Sequence, residues 1–251
     1  MKPQILFIRS LFAVTLVTLV FALASPIIGW ADDTEGELTL TSLKFFIEFN
    51  ETNEDVGAQC SLGGEPYQRL VASGPDKRKI LDLRPQRGLR MQGMADFFFE
   101  SAEPSLAEFS MAEFLARFPA GEYEFETTTI DGIEQDGTAI FTHIIPAGPV
   151  ILSPQEGEVV DPNNTVVTWE PVTQTTAFNP PQQPVTIVGY QVIVTRVDPL
   201  RVYSVDVSAE TTSVIVPPEF LDAGTEYEVE VLAIEASDNQ TISLLFFNTA
   251  G

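Results

Sequence analysis

The densest group of potential metal ligands in the sequence follows the first strand-like apolar segment. Glu48, Asn50, Asn53, Glu54 and Asp55 carry side-chain oxygens and lie close together in the chain. Calcium binds about six to eight oxygens from carboxylates, amides and carbonyls, so these residue types suit a calcium site. Their spacing is not that of an EF-hand, and an acidic chain also produces such a stretch as a solvated loop. Both interpretations stay open, and calcium is the one metal cofactor that the composition permits.

Other site chemistries find little support, because the chain contains one cysteine, Cys60, and one histidine, His143. Zinc, iron and copper sites in proteins use imidazole or thiolate ligands, so such sites are nearly excluded. A catalytic triad needs a positioned base, and His143 has no Ser, Cys or Asp beside it in the sequence. We therefore predict no catalytic residue, and we interpret His143 as a hydrogen-bonded strand residue at a domain junction. A single cysteine also excludes a disulfide within the chain, which leans towards a bacterial source.

The charge balance limits the partners. With 36 acidic and 13 basic residues the formal net charge is −23, which opposes binding to nucleic acid and to anionic membranes. A surface this acidic could simply be hydrated by solvent, could attract divalent cations, or could bind a basic partner. The number of acidic residues does not exclude the paired carboxylates of a glycoside hydrolase, because acidic residues occur throughout the chain.

The first 31 residues have the pattern of a secretory signal peptide. Lys2 and Arg9 precede an uncharged apolar run from Leu11 to Ala24 that is short for a membrane span. We predict cleavage before Asp32, with the site after Ala24 and an uncleaved N-terminal anchor as alternatives. The expected location is secreted, periplasmic or cell-surface, without membrane insertion after cleavage.

Alternating apolar and polar residues predict strands throughout the remaining chain. Residues 37–145 are predicted as a β-rich domain with one short helix that begins at a Ser110 and Glu113 capping box. The stretch 146–149, Pro-Ala-Gly-Pro, is predicted as a short stiff linker, and residues 150–251 as a second domain. The strands predicted in the first domain are Leu43–Phe49, Tyr67–Ala72, Lys79–Leu83, Met94–Glu100, Glu122–Thr129 and Thr138–Ile144.

Three motifs in order characterise the second domain: Trp169 before Glu170-Pro171, Tyr190 after Gly189, and Tyr227 after a Leu-x-x-Gly corner. Together they resemble a fibronectin type III domain over about residues 145–249, with Tyr227 implied to form a tyrosine corner. The segment 118–126 parallels that corner and predicts a second one in the first domain. The first domain resembles a domain of uncharacterised secreted bacterial proteins, which implies no activity.

The predicted fold is all-β, with two β-sandwich-like (immunoglobulin or fibronectin III-like) domains in tandem. The function that fits best is a secreted non-enzymatic binding or spacer module of unknown ligand. Phe178, in the Pro/Gln-rich loop 173–185, is the candidate contact to a protein or carbohydrate at the cell surface, although it could also pack onto the sandwich. An accessory polysaccharide hydrolase using Asp/Glu catalysis and a calcium-stabilised adhesin subunit are the alternatives. The sequence does not predict the oligomeric state.

Overall fold

The computed structural model describes residues 38–251, which belong to one compact unit. The predicted signal peptide, residues 1–31, lies outside the described residues. The described chain is all-β, as predicted, with fifteen strands and two short helices. Within this part of the chain no helix is long and apolar enough to cross a membrane.

The first half of the described chain, up to residue 145, carries both helices, α1 (Arg87–Gln92) and α2 (Met111–Arg117). Helix α2 confirms the predicted capping box: the Ser110 Oγ accepts from the Glu113 N–H, and the Glu113 carboxylate accepts from the Ser110 N–H. Helix α1 was not predicted; it has no side-chain N-cap and buries no residue, so no sequence signal marks it. The elements are β1 (Leu38–Thr39), β2 (Ser42–Asn50), β3 (Asp55–Ser73), β4 (Lys79–Leu83), α1 (Arg87–Gln92), β5 (Met94–Glu100), α2 (Met111–Arg117), β6 (Gly121–Thr129) and β7 (Glu134–Phe141).

Strand β3 is 19 residues long and pairs with different strands along its length. Its first part pairs with β2 and β5, and its second part pairs with β4 and β6. The change occurs around Gly63 and Gly64, where a Cβ would lie only 2.7 Å from the Ser42 Oγ and 3.0 Å from the Gln135 Oε1. The buried Gln135 side chain bonds both the N–H and the C=O of Glu65, which satisfies the backbone at the bend.

The core of the first half is rich in aromatic rings. Phe45 is 2% exposed, and its ring centroid lies 4.7 Å from that of Phe141 and 4.8 Å from that of Tyr123. Burying each such ring contributes roughly 1.5–3 kcal/mol. The Tyr123 hydroxyl donates to the Pro119 carbonyl at 3.0 Å, so the segment predicted as a second corner does tie its tyrosine back to the preceding loop.

The second half is a sandwich of two sheets. Its elements are β8 (Ile151–Ser153), β9 (Val159–Val160), β10 (Val166–Trp169), β11 (Ile187–Arg196), β12 (Arg201–Ser208), β13 (Ser213–Ile215), β14 (Glu226–Glu235) and β15 (Gln240–Thr249). One sheet has the order β13-β10-β8 and the other continues as β15-β14-β11-β12. Their shared core contains Trp169, Tyr190, Tyr227 and Phe247, all of them buried.

Tyr227 forms the implied tyrosine corner. Its hydroxyl accepts from the Asp222 N–H at 2.7 Å and donates to the Phe220 carbonyl at 3.4 Å. The hydroxyl of Tyr190 similarly accepts from the Val172 N–H at 2.9 Å. With three strands facing four and this corner before β14, the second half has a fibronectin type III-like fold.

The two halves are joined by a shared sheet. Strand β15 of the second half pairs in parallel with β2 of the first, aligning Gln240 with Glu48 and Ile242 with Asn50. The sheet therefore runs without interruption from β12 through β15 to β2 and β3. This junction, which we call the seam, positions the side chains described next.

Candidate functional site

The outer face of the seam carries polar side chains because β2 alternates. Phe45, Ile47 and Phe49 point into the core, so Glu48 and its alternate neighbours point to the opposite face. Glu48 is nevertheless only 2% exposed, since it is flanked by Gln240 of β15 and Gly57 of β3.

Two further carboxylates meet Glu48 on this face. Oxygens of Glu48, Glu100 and Glu103 all lie within 4.8 Å of one another; we call these three residues the carboxylate cluster. Gly57 makes room for it, because the Glu103 Oε1 lies 2.5 Å from where a Cβ of residue 57 would be. The segment that carries Glu103 is held to β3 by Ser101, whose N–H donates to the Ala58 carbonyl and whose Oγ accepts from the Ala58 N–H, each at 2.9 Å.

Burial and mutual repulsion favour the neutral forms of these carboxyl groups. Burial raises the pKa of Glu48 to about 7 against an opposing hydrogen bond from Gln240, and the nearby charges of Glu100 and Asp55 raise it further. Burial and the charges of Glu48, Glu100 and Asp55 raise the pKa of Glu103 to about 8. Burial also raises the pKa of Asp55 to about 6. Four carboxyl groups thus share a region where full ionisation is unfavourable.

Gln59 lies on the same face, between Phe46 of β2 and Glu100 of β5 in the strand register. It is completely buried, and neither its Nε2 nor its Oε1 makes a hydrogen bond of normal geometry among the described residues. Its amide is near enough to Glu48 to stabilise the charged form of that carboxylate. An unpaired buried amide is destabilising by roughly 1–3 kcal/mol, so its presence here calls for a physical reason.

The structure brings together only part of the predicted calcium ligands. Glu48 and Asp55 lie at or beside the carboxylate cluster, whereas Asn53 and Glu54 are exposed in the β2–β3 turn. The Asn50 side chain accepts from the Asn53 N–H at 3.0 Å and so stabilises that turn. Glu100 and Glu103 were missed, because strand pairing rather than sequence proximity brings them to Glu48. The sequence offered no local signal for them.

The strand alternation that begins at Tyr227 predicts that the glutamates of β14 form its solvated face, and the structure differs from this prediction. Glu226 is exposed, but Glu228 and Glu230 are half-buried. Burial raises the pKa of Glu230 to about 8, assisted by the charges of Glu228 and Glu48. In the register Glu230 lies between Ile193 of β11 and Leu244 of β15, which form part of a small apolar cluster on this outer face.

Phe178 and His143 lie at the other contact between the halves. The Phe178 ring is 36% exposed and packs edge-on against Phe49, with centroids 5.3 Å apart. His143 follows the end of β7 and is therefore not the strand residue that the sequence predicts, although it is hydrogen-bonded. Its Nε2 lies 2.8 Å from the Phe118 carbonyl, and its own carbonyl accepts from the Asn179 side chain at 3.0 Å. A cavity of about 310 Å³ is lined by His143, Ile144, Thr175, Asn179, Pro180, Pro181 and Gln183.

Comparisons with known proteins give only distant likenesses. No known family model matches the sequence, and no curated protein matches it. Among solved structures, the FN1–FN3 domains of chicken CNTN1 are 13% identical with a TM-score of 0.32; the match covers 86% of this chain and 65% of that one. A two-domain fibronectin type III segment of chicken tenascin is 13% identical with a TM-score of 0.30, and the match covers 84% of this chain and 99% of that one. The fold assignment of the second half therefore rests on its own strand order and tyrosine corner.

Proposed function

We propose that the chain is an extracellular, non-enzymatic binding or spacer module made of two rigidly joined sandwiches. Its proposed domains are residues 37–145 and 150–251, with 146–149 between them and a cleaved signal peptide over 1–31. Membership of the second domain in the fibronectin type III family is part of the proposal and is supported by the tyrosine corner and the three-on-four strand arrangement.

The observation that carries this proposal is the insertion of Asn239 between the halves. The completely buried Asn239 side chain accepts from the Ile47 N–H at 2.7 Å and donates to the carbonyls of Thr142 and Ile144 at 3.2 and 2.9 Å. These bonds add to the shared sheet and fix the two halves relative to each other. A fixed spacing between two ends is what a spacer has to provide.

A rigid joint predicts a single distance between the two ends. Pulsed electron paramagnetic resonance measures that distance between two spin labels. One label is attached at Asp131→Cys in the exposed β6–β7 turn, and the other at Leu200→Cys in the exposed β11–β12 turn. We expect one narrow distribution, since Cys60 is buried and should not compete for the label. A broad distribution would show a flexible tether and contradict the spacer proposal.

The proposed ligand contact is the loop around Phe178, which packs against Phe49 and contributes Asn179, Pro180 and Pro181 to the lining of the 310 Å³ cavity. Proline and amide side chains with one partly exposed ring suit a protein or carbohydrate surface. Capture of cell-envelope components by the chain is expected to fall several-fold in Phe178→Ala and to persist in Val188→Ala, a control at an exposed valine. Equal capture by both variants, with unchanged melting temperatures, would remove Phe178 from the contact.

The carboxylate cluster gives the hydrolase alternative a specific basis. A carboxyl group with a pKa raised to about 8 beside others is the arrangement that acid–base hydrolysis uses. Under this alternative, Glu103→Gln abolishes the release of reducing sugar from a polysaccharide substrate. If wild-type chain releases none from a panel of envelope and plant polysaccharides, the alternative is excluded for those substrates and the module proposal stands.

A further inference from the structure

We propose that Glu48, Glu100 and Glu103, together with the side-chain oxygen of Gln59, bind one calcium ion at the outer face of the seam. This inference does not depend on the proposed binding or spacer function. It also differs from the site expected from the sequence, because it keeps only Glu48 of the five predicted residues and takes in Gln59 of β3 and two residues from and just beyond β5.

The geometry of the carboxylates is the first argument. Three side chains from two separate segments, β2 and the end of β5, place oxygens within 4.8 Å of one another. A cation that accepts irregular coordination and several carboxylates suits this arrangement, and calcium does so better than magnesium, which requires near-octahedral geometry. Glu100 is exposed while Glu48 is buried, so the cluster is open to solvent on one side and an ion can enter.

Gln59 is the second and independent argument. Its amide is completely buried beside the cluster and close enough to Glu48 to stabilise that carboxylate, but neither of its polar atoms makes a hydrogen bond of normal geometry among the described residues. The Glu103 Oε1 is also buried without a hydrogen bond of normal geometry, although the Glu103 carboxyl group interacts with that of Glu100. A calcium ion bound to both oxygens would satisfy these polar atoms.

The charge balance of the region is the third argument. Eight ion pairs join described side chains, and none of them includes Glu48, Glu100 or Glu103. Asp55 and Glu230 lie close enough to Glu48 to add negative charge to the same face when they ionise. A divalent cation supplies the positive charge that the neighbouring side chains do not.

The position of the site gives it a structural role. Glu48 lies on β2, and Gln240 of the second half donates to its carboxylate. An ion on Glu48 would link the segment after β5 to the strand that joins the halves, so that calcium stabilises the seam as well as the first sandwich. The full chain is therefore the correct object to test, since the first half alone would lose Gln240.

The test is calorimetric and thermal titration of the full chain after removal of metals with a chelator. About 5 mM calcium exceeds the dissociation constants of about 10⁻⁴–10⁻³ M that are typical of extracellular modules. We expect binding of one calcium per chain. At about 5–50 times such a dissociation constant, about 5 mM calcium should raise the melting temperature by about 2–9 °C. Magnesium at the same concentration should give a much smaller rise.

Variants separate specific binding from screening of the acidic surface. Glu48→Gln and Glu103→Gln should abolish the calcium-induced rise, and Gln59→Leu should weaken it. Glu226→Gln, which removes an exposed glutamate from the neighbouring strand, should keep it in full. If Glu48→Gln does not fold, Glu103→Gln and Gln59→Leu still decide the matter.

Two results would overturn the proposal. The first is the absence of both binding heat and a melting shift in the wild-type chain at about 5 mM calcium, a concentration chosen to saturate extracellular sites. The second is a shift of the same size in Glu226→Gln, Glu48→Gln and Glu103→Gln, which would show that calcium acts only by screening charge.

Discussion

Replacing Glu48 by glutamine should stabilise the metal-free chain at alkaline pH and leave it nearly unchanged in acid. The substitution keeps the shape of the side chain and an oxygen that can accept from Gln240. It removes a carboxyl group that burial holds at a pKa of about 7, against an ordinary value of 4.5. The effect should therefore depend on whether that carboxyl group is ionised.

The sign follows from proton linkage. A carboxyl group whose pKa is raised on folding binds more protons in the folded than in the unfolded chain between the two pKa values. Its favourable contribution is complete below about pH 4.5 and is lost as the pH rises through about 7. The glutamine does not ionise and causes no such loss of stability, so the variant becomes more stable than the wild type as the pH rises over that interval.

The magnitude follows from the size of the pKa shift. A rise from 4.5 to about 7 corresponds to about 3 kcal/mol at 1.36 kcal/mol per pKa unit. Glu48 is 2% exposed, so solvent screening reduces this value little. For a chain of this size, about 3 kcal/mol corresponds to a rise in melting temperature of about 6–12 °C. Glu103, Asp55 and Glu230 ionise over a similar interval, so removal of the Glu48 charge should also ease their ionisation.

Urea unfolding at pH 5 and about pH 8.5 in the presence of a chelator measures the difference in the free energy of unfolding between the variant and the wild type. The fluorescence of the buried Trp169 is one probe. The exposed Glu226→Gln is the control and should show the same stability as the wild type at both pH values. A Glu48→Gln chain that is less stable than the wild type at pH 8.5, or that differs equally at both pH values, would refute the reasoning. Addition of calcium should reduce the difference in stability at pH 8.5, because it stabilises the wild type alone.

Three further substitutions test the seam, the corner and the cluster. Asn239→Ala should lower the free energy of unfolding by about 2–4 kcal/mol in urea titrations, because it leaves buried backbone groups unpaired; a loss below about 0.5 kcal/mol would contradict its role in joining the halves. Tyr227→Phe should lower it by about 1 kcal/mol through loss of the corner bond to the Asp222 N–H, and an unchanged urea midpoint would count against that bond. Gly57→Ala should displace Glu103 and abolish the calcium-induced rise in melting temperature; a retained rise would show that Glu103 is not a ligand.

Local patterns predicted the parts of the fold whose causes are local. The alternation from Tyr227 and the Leu-x-x-Gly turn before it specify a strand and a corner, and the structure confirms both. The capping box at Ser110 specifies the start of α2 for the same reason. Each of these features is complete within a few residues of sequence.

The first part of β3 could not be predicted in this way. Gly57, Gly63 and Gly64 give the segment the composition of a loop, and glycine weakens a strand when it is considered alone. In the folded chain β2 pairs with this segment on one side and β5 on the other, so its backbone bonds are satisfied from both edges. The glycines have a different role: Gly57 makes space for Glu103, and Gly63 and Gly64 allow close approach at the bend.

The carboxylate cluster depends on the same long-range pairing. In strands that alternate, polar residues opposite a core are expected to face water, and this rule led to the interpretation of Glu228 and Glu230 as solvated. The rule assumes that the sheet ends near the strand concerned. Here β15 extends the sheet into β2, so side chains on the outer face are covered by neighbours from both halves, and Glu48 and Glu230 lose water without gaining a basic partner. A seam built in this way is weakened by every charge that ionises on it, and therefore becomes more stable whenever a proton or a cation neutralises that charge.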